Sequence, residues 1–433
     1  MKSSKTVRIL TLAAAAAMML ASCAAPAAPA AAPAAPAATT APAAEAAKPT
    51  EAPATAGAET MRFYSSLPLT GNSAAQTATI VKAIELAIAQ NTKDGTVCEG
   101  KFKIDYVSLD DATAAKGQWD EAQEQANANK AVGDPDTVIY IGTFNSGAAK
   151  ISIPILNQAT PMLGMISPAN TNVGLTKKFN AGEPEKYYPS GKRNYMRVVA
   201  HDGLQGSFGA RWAQKLGAKK VILVDDQQAY GKGLADVFAS VAKTINLEVM
   251  SREVIEANQG DYKTLANKIA AAKPDLVYYG GITGKGTSSF VQELRGAAPD
   301  IKIMGADGIL ENEFAEKTKG AEGVYATIAG VPREKLGDKG KKFFDDYKAK
   351  NGSDPEAYAI YGYEAASVVI KAVSTVCKKD RLAILDAMFT TKDFDGVLGK
   401  WSFDADGDTS LDSMVGNVVK DGKWSVVAPD QLP

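Results

Sequence analysis

From Thr60 to the end of the chain, short apolar runs alternate with amphipathic stretches. The runs are the length of buried strands and predict them at Arg62–Leu67, Phe102–Val107, Thr137–Gly142, Met162–Ile166, Tyr195–Val199, Lys220–Val224, Glu248–Ser251, Leu276–Gly280, Lys302–Met304 and Gly323–Thr327. Between them lie segments of helical period. In "TATIVKAIELAIAQ", Ile80, Ile84 and Ile88 recur every four residues, and "GLADVFASVAKTI", "DYKTLANKIAAAK" and "TSSFVQELRGAA" follow the same rule. A repeated strand-then-helix order predicts parallel sheets covered by helices on both faces. The number of repeats exceeds one sheet, so the fold class is α/β with two doubly wound parallel lobes. Ligands of such sheets bind beyond the C-terminal ends of the strands.

The pattern changes before Thr60. Lys2, Lys5 and Arg8 precede an apolar stretch, Ile9 to Ala21, that reads as an export signal over residues 1–22. It is too short for a membrane span, which takes ~20 apolar residues. It ends in Leu20-Ala21-Ser22-Cys23, which resembles a bacterial lipobox and implies lipidation of Cys23; an ordinary cleaved signal with a chance cysteine is the alternative. Residues 23–59 are almost all Ala and Pro, cannot form a core, and form a tether whose PPII rise of ~3.1 Å per residue reaches roughly 100 Å. The expected location is the outer face of the cytoplasmic membrane, lipid-anchored, or the periplasm, where cysteines meet an oxidising environment.

Composition narrows the chemistry. With 433 residues, 45% hydrophobic, and a net charge of -1, the chain is a globular protein with no electrostatic bias toward nucleic acid. A single histidine, His201, excludes multi-His metal sites and weakens imidazole acid–base schemes. No metal or cofactor is expected.

The richest stretch is "YIGTFNSGAAK", where a buried strand empties into Thr143-Phe144-Asn145-Ser146-Gly147. It is not a phosphate loop, because no Lys-Ser/Thr follows a suitable Gly; Gly284-Lys285-Gly286-Thr287 and "YGKGLA" at Tyr230 fail similarly. It is not a nucleophile elbow, since G-x-S-x-G is absent and His201 is remote in sequence. "DADGD", Asp404 to Asp408, lacks the Gly and Glu positions of a calcium loop and reads as a turn.

What remains is an anion cradle. A helix opening at Ser146 offers unpaired N–H groups and a favourable dipole to a carboxylate. The next strand ends in Ser167-Pro168-Ala169-Asn170-Thr171, so two hydroxyl-rich turns sit on consecutive strands and Ser146 and Thr171 can grip one carboxylate. Asp307 follows the apolar run "IKIMGA" and supplies an anion for an ammonium, which needs a paired carboxylate when buried. Read singly, each of these is a capping or turn residue. If the second lobe carries Asp307 while the first carries Ser146 and Thr171, they bridge a ligand's two charges, and closing the lobes completes the site.

At these residues the chain resembles the solute-binding proteins of branched-chain and polar amino acid ABC transporters, the type I periplasmic-binding fold, from about Thr60 to Pro433. The resemblance rests on "YIGTFNSGAAKISIPILNQ", "MISPANT", "DDQQAYGKGLA", "DLVYYGGITGKG", "IMGADGI", "AYAIYGYEAA" and "GVLGKWSFDADGD". It implies that Ser146 and Thr171 bind the α-carboxylate and that the Ala169 carbonyl and Asp307 take the ammonium. It places Tyr230 at the cleft and Phe144, Asn145 and Asn170 at the ligand. It further implies a three-stranded hinge, with crossings near Val199–Asp202, Thr327–Pro332 and Val397–Ser402 and His201 at the first of them, without partners. The lobes are then 60–199 with 332–398, and 202–328 with 402–433. By the same topology Cys98 and Cys377 fall in the first lobe, where a disulfide or two free thiols are the alternatives. Two departures stand out: Ile282 and Gln76 occupy positions where relatives often have aromatics, and Asp307 replaces Glu. They imply an amino acid of different polarity or size. The implied function is non-catalytic: a monomeric receptor that closes on an amino acid and delivers it to an ABC permease. Amides, urea or an aromatic acid are the alternative ligands in the same fold, and a sensory receptor domain is the alternative of another class. The long segment 177–193 reads as a surface loop.

Overall fold

A computed structural model describes residues 57–256 and 258–433; the export signal, Cys23 and nearly all of the tether lie outside the described residues. The alternation of strands and helices resolves into two sheets. The first has the order Thr96–Val97, Phe102–Asp110, Glu59–Leu67, Thr137–Gly142, Met165–Ser167, Tyr195–Arg197, and all its pairings are parallel except that of the short edge strand Thr96–Val97. The second runs Glu248–Val254, Lys220–Asp225, Leu276–Gly280, Lys302–Gly305, Tyr325–Ala329, Met414–Lys420, Lys423–Val426. Its first five strands are parallel and its last two antiparallel.

The sequence pattern locates ten of these thirteen strands and misses the short edge strand Thr96–Val97 and the last two, the first of which it reads only as the flank of a turn. It also starts one strand early: Leu163 N–H bonds Leu156 O (3.1 Å), and the strand expected from Met162 begins at Met165. Thr137–Gly142 is buried along its whole length, as a central parallel strand must be.

The helix Ala74–Asn91 buries Ile80 and Ile84 against Ala359–Val376, a helix from far along the chain. Their contact is close enough that a Cβ at Gly362 would lie 2.7 Å from Ile80 Cγ2 and 3.0 Å from Ile80 O, which makes glycine necessary there. A disulfide, Cys98–Cys377, with Cα atoms 5.7 Å apart, fastens the end of the same late helix to the edge of the first sheet. The first lobe is therefore closed by residues that follow the five parallel strands of the second sheet in sequence.

The third passage between sheets differs from expectation. Residues Phe394–Gly396 and Gly399–Trp401 form a hairpin held to the first lobe by Glu364, which accepts from Val397 N (2.9 Å) and Trp401 Nε1 (2.6 Å). Beyond it, Asp404 and Asp406 both accept from Lys177 Nζ (2.7 and 2.6 Å), and Asp408 accepts from the buried Arg197 Nε (2.7 Å). These ion pairs keep 402–408 on the first lobe, and the chain joins the second sheet only at Met414. "DADGD" is a turn, with Asp404 Oδ1 accepting from Asp406 N and Asp408 N (both 2.9 Å), but a charged one. The Lys177–Arg193 segment is the other half of this clasp.

Candidate functional site between the lobes

The first lobe contributes two turns that are bonded to each other. Ser167 Oγ donates to Thr143 O (3.0 Å) and accepts from Ala169 N and Asn170 N (3.1 and 2.8 Å). Asn170 Nδ2 donates to Phe144 O (2.9 Å) and Thr143 Oγ1 (3.2 Å), so its side chain joins the turns. Behind them Arg197, with no solvent exposure, donates through Nη1 to Asn170 O and Asn172 O (3.2 and 2.8 Å) and through Nη2 to Thr176 Oγ1 (2.5 Å). The helix Ser146–Asn157 has Asn145, not Ser146, at its N-cap, and no side-chain oxygen caps it. Ser146 is its first residue, and its Oγ accepts from Asn172 N (3.2 Å).

The second lobe contributes Tyr230, at the start of the helix Ala229–Thr244, and the turn Ala306–Gly308 after the strand Lys302–Gly305. That helix lies close on its sheet; a Cβ at Gly231 would stand 2.3 Å from Gly280 O, which explains the glycine after Tyr230. Asp307 is the centre of the wall. Its Oδ1 accepts from Tyr230 OH (2.9 Å) and its Oδ2 from Tyr358 OH (2.6 Å), while Tyr230 OH accepts from Gly308 N (3.1 Å). Tyr358 precedes the helix Ala359–Val376 of the first lobe, so the Asp307–Tyr358 bond crosses the cleft.

Phe144, Asn145, Ser146, Ala169, Tyr230, Ile282, Asp307 and Gly308 surround one small cavity of about 20 Å³. Phe144 meets Tyr358 edge-on, with ring centroids 5.7 Å apart. Three expected site residues stand outside this lining. Asn170 is spent on the turns. Thr171 is buried and its carbonyl accepts from Asp202 N (2.7 Å). Gln76 is buried beside Tyr358, whose N–H it accepts through Oε1 (3.3 Å), and its Nε2 has no partner.

The electrostatics are acidic: among the described residues no cation forms an ion pair with Asp307 or Asp202, and the buried Arg197 is paired with Asp408. Burial pushes the Asp307 carboxyl up, against the lowering effect of the two tyrosine hydroxyls. Asp202, at the first crossing, is fully buried with neither carboxylate oxygen bonded; burial, then the charge of Asp307, holds it well above the usual carboxylate range. Gln205 Oε1 is likewise unpartnered. Uncompensated acceptors around a cleft suit a ligand that carries a cation and several N–H donors. His201 is not without partners: it caps the helix Asp202–Lys215, its Nδ1 accepting from Gly203 N (3.0 Å), and burial with the Arg197 charge lowers it to about 4.

Sequence reasoning missed Tyr358, Asp202 and Arg197. Tyr358 and Arg197 lie in stretches that read as core, and only the fold brings them to the turns. Asp202 beside Gln205 carried a signal, two polar residues on the buried side of a helix start.

With this geometry in hand, comparison with known proteins is direct. The periplasmic binding protein family matches residues 65–423, and the chain belongs to it. The family is one of extracytoplasmic solute-binding proteins, not enzymes. Among curated relatives, "Leu/Ile/Val-binding protein homolog 2" of Brucella abortus is 30% identical over 354 residues, covering 80% of this chain and 87% of that protein. A leucine-binding protein of Thermotoga maritima has the same fold with a TM-score of 0.74 and 25% identity, covering 86% of this chain and 100% of its own. The branched-chain amino acid transporter substrate-binding protein of Streptococcus pneumoniae, solved with isoleucine, gives 0.73 and 25% over the same shares. Among the described residues no helix is long and apolar enough to cross a membrane.

Proposed function

We propose that this chain is the solute receptor of an ABC importer and that it closes on an amino acid, branched-chain or similar. The observation that carries the reading is Asp307: a buried carboxylate held between tyrosines of both lobes, with no ion-pair partner among the described residues. An ionised carboxylate has about four acceptor sites, so two tyrosine hydroxyls leave room for an ammonium. The α-carboxylate goes to the opposite wall, to the uncapped start of the helix Ser146–Asn157, with the Ser146 hydroxyl and the Thr171 turn beside it. Phe144, Asn145 and Ile282 then meet the side chain.

Lobe closure on the ligand creates the surface a permease reads, and Cys23 with the Ala/Pro tether holds the receptor near that permease. A thermal-shift panel of the common amino acids, urea, short amides and benzoate tests the ligand class. A ligand at ~1,000 times its dissociation constant stabilises the protein by about 4 kcal/mol. One or a few amino acids are expected to shift the transition; a response only to amides or aromatic acids sinks the two-charge clamp.

A further inference from the structure

A second cavity lies where the last two passages between the lobes run side by side. Gly330 N–H donates to Ser413 O (2.7 Å), tying Gly330–Pro332 to Leu411–Ser413. Between them, the start of the first-lobe helix and the end of the second sheet, is a cavity of about 200 Å³. Its walls are apolar side chains such as Ile328, Leu336, Ile360 and Val415, and Val331 and Val426 at 39% and 48% exposure are unusually bare for their type.

One polar side chain breaks this surface. Asn417 lines the cavity, is only 6% exposed, and its Nδ2 has no hydrogen-bond partner. A buried donor left unpaired is costly, and an occupant bearing an acceptor recovers that cost. The nearest cation does not call for an anion: Arg333 stacks over Phe344 (4.5 Å) and is paired with Asp345 and Asp354 (3.0 and 3.2 Å). A carboxylate buried against an amide alone is costly, whereas a neutral oxygen is not.

We infer that this pocket is a second ligand site, for an apolar molecule carrying one uncharged oxygen acceptor, such as a medium-chain ketone or ester, held by Asn417 Nδ2. It is separate from the amino acid cleft and stands whether or not that reading holds. The test is titration of the purified protein with 2-octanone, followed by calorimetry, with octanoate as the charged counterpart. Expected is saturable 1:1 binding of 2-octanone and binding of octanoate at least about tenfold weaker. Asn417→Leu should weaken 2-octanone about tenfold, the worth of one hydrogen bond. Ala357→Trp, at the half-buried rim, should block it while the unfolding midpoint stays near that of the parent. No saturable binding to the parent protein overturns the proposal. So does binding that Asn417→Leu leaves within twofold, that Ala357→Trp does not block, or that is equally strong for octanoate.

Discussion

The two walls of the cleft are built on different principles. The first-lobe wall is made of neutral groups from turns about 25 residues apart, Thr143 to Ser146 and Ser167 to Thr171, which bond each other so fully that little is left to rearrange. The second-lobe wall hangs on one carboxylate, Asp307, whose hydroxyl partners lie 77 and 51 residues away and on both sides of the cleft. A neutral, stitched seat offers dipoles of fixed direction and is insensitive to pH. A buried charge satisfied across a cleft answers both to a ligand's ammonium and to protons.

The sharpest way to break this contrast is to remove the charge. Asp307→Ala leaves a bound ammonium without its anion, and loss of one partner of a buried pair costs about 3–5 kcal/mol, upward of a hundredfold in affinity by calorimetry. The sign with pH follows from the raised carboxyl: protonation removes the attraction, so affinity falls on acidification and does so at higher pH than for an ordinary carboxylate. Asp307→Asn should be weak at every pH and flat. Retention of tight amino acid binding by either variant contradicts the role given to this wall.

The neutral wall is instead vulnerable from behind. Arg197 is wholly buried, and Asp408 is its one carboxylate partner among the described residues. Asp408→Ala strands that guanidinium and should cost about 3 kcal/mol or more of unfolding free energy in urea. Replacing both, Arg197→Met with Asp408→Leu, should restore much of the stability, because no charge is then left unpaired. If stability returns but ligand affinity does not, the pair orders the turn rather than merely holding the fold.

The crossing between the walls carries a smaller, pH-dependent effect. His201 in the folded protein sits at about 4 against an ordinary 6.5. Its folded pKa is depressed, so the unfolded chain binds more protons between these values, and stability present above pH 6.5 is lost as pH falls toward 4. At 1.36 kcal/mol per unit this amounts to about 3 kcal/mol. His201→Asn keeps a capable N-cap and should remove that part of the slope in denaturation measured from pH 7 to 4.5; an unchanged slope assigns it elsewhere.

How much of this was legible follows the same division. Strands such as Thr137–Gly142 and Leu276–Gly280 announced themselves because a central parallel strand is apolar throughout. The hydroxyl turns were legible because strand, turn and helix start are contiguous in sequence. Tyr358 and Arg197 were not, since a tyrosine or arginine acquires its partner only when distant segments meet. The clasp of Lys177 with Asp404 and Asp406 escaped for the same reason: the acidic string was visible, but its cation lies more than two hundred residues earlier. In the antiparallel strands Met414–Lys420 and Lys423–Val426, Gly416 and Asn417 interrupt the first and Lys423 and Ser425 alternate with apolar residues in the second, so neither makes the expected apolar run.

The smallest expected effect is the one that measures the neutral wall itself. Ser146 Oγ accepts from Asn172 N, and its O–H remains free to donate into the cavity. Ser146→Ala removes one neutral hydrogen bond to the ligand, worth about 1 kcal/mol or roughly fivefold in affinity, and leaves the helix N–H groups and dipole in place. Ser146→Asp sets a carboxylate against the ligand's own and should abolish binding, although the residue is a good one for a helix start. The pair of variants separates a dipolar seat from a mere cap. If Ser146→Ala weakened binding as severely as Asp307→Ala, the two walls would contribute alike and the division of labour between a fixed neutral face and a responsive charged one would fail.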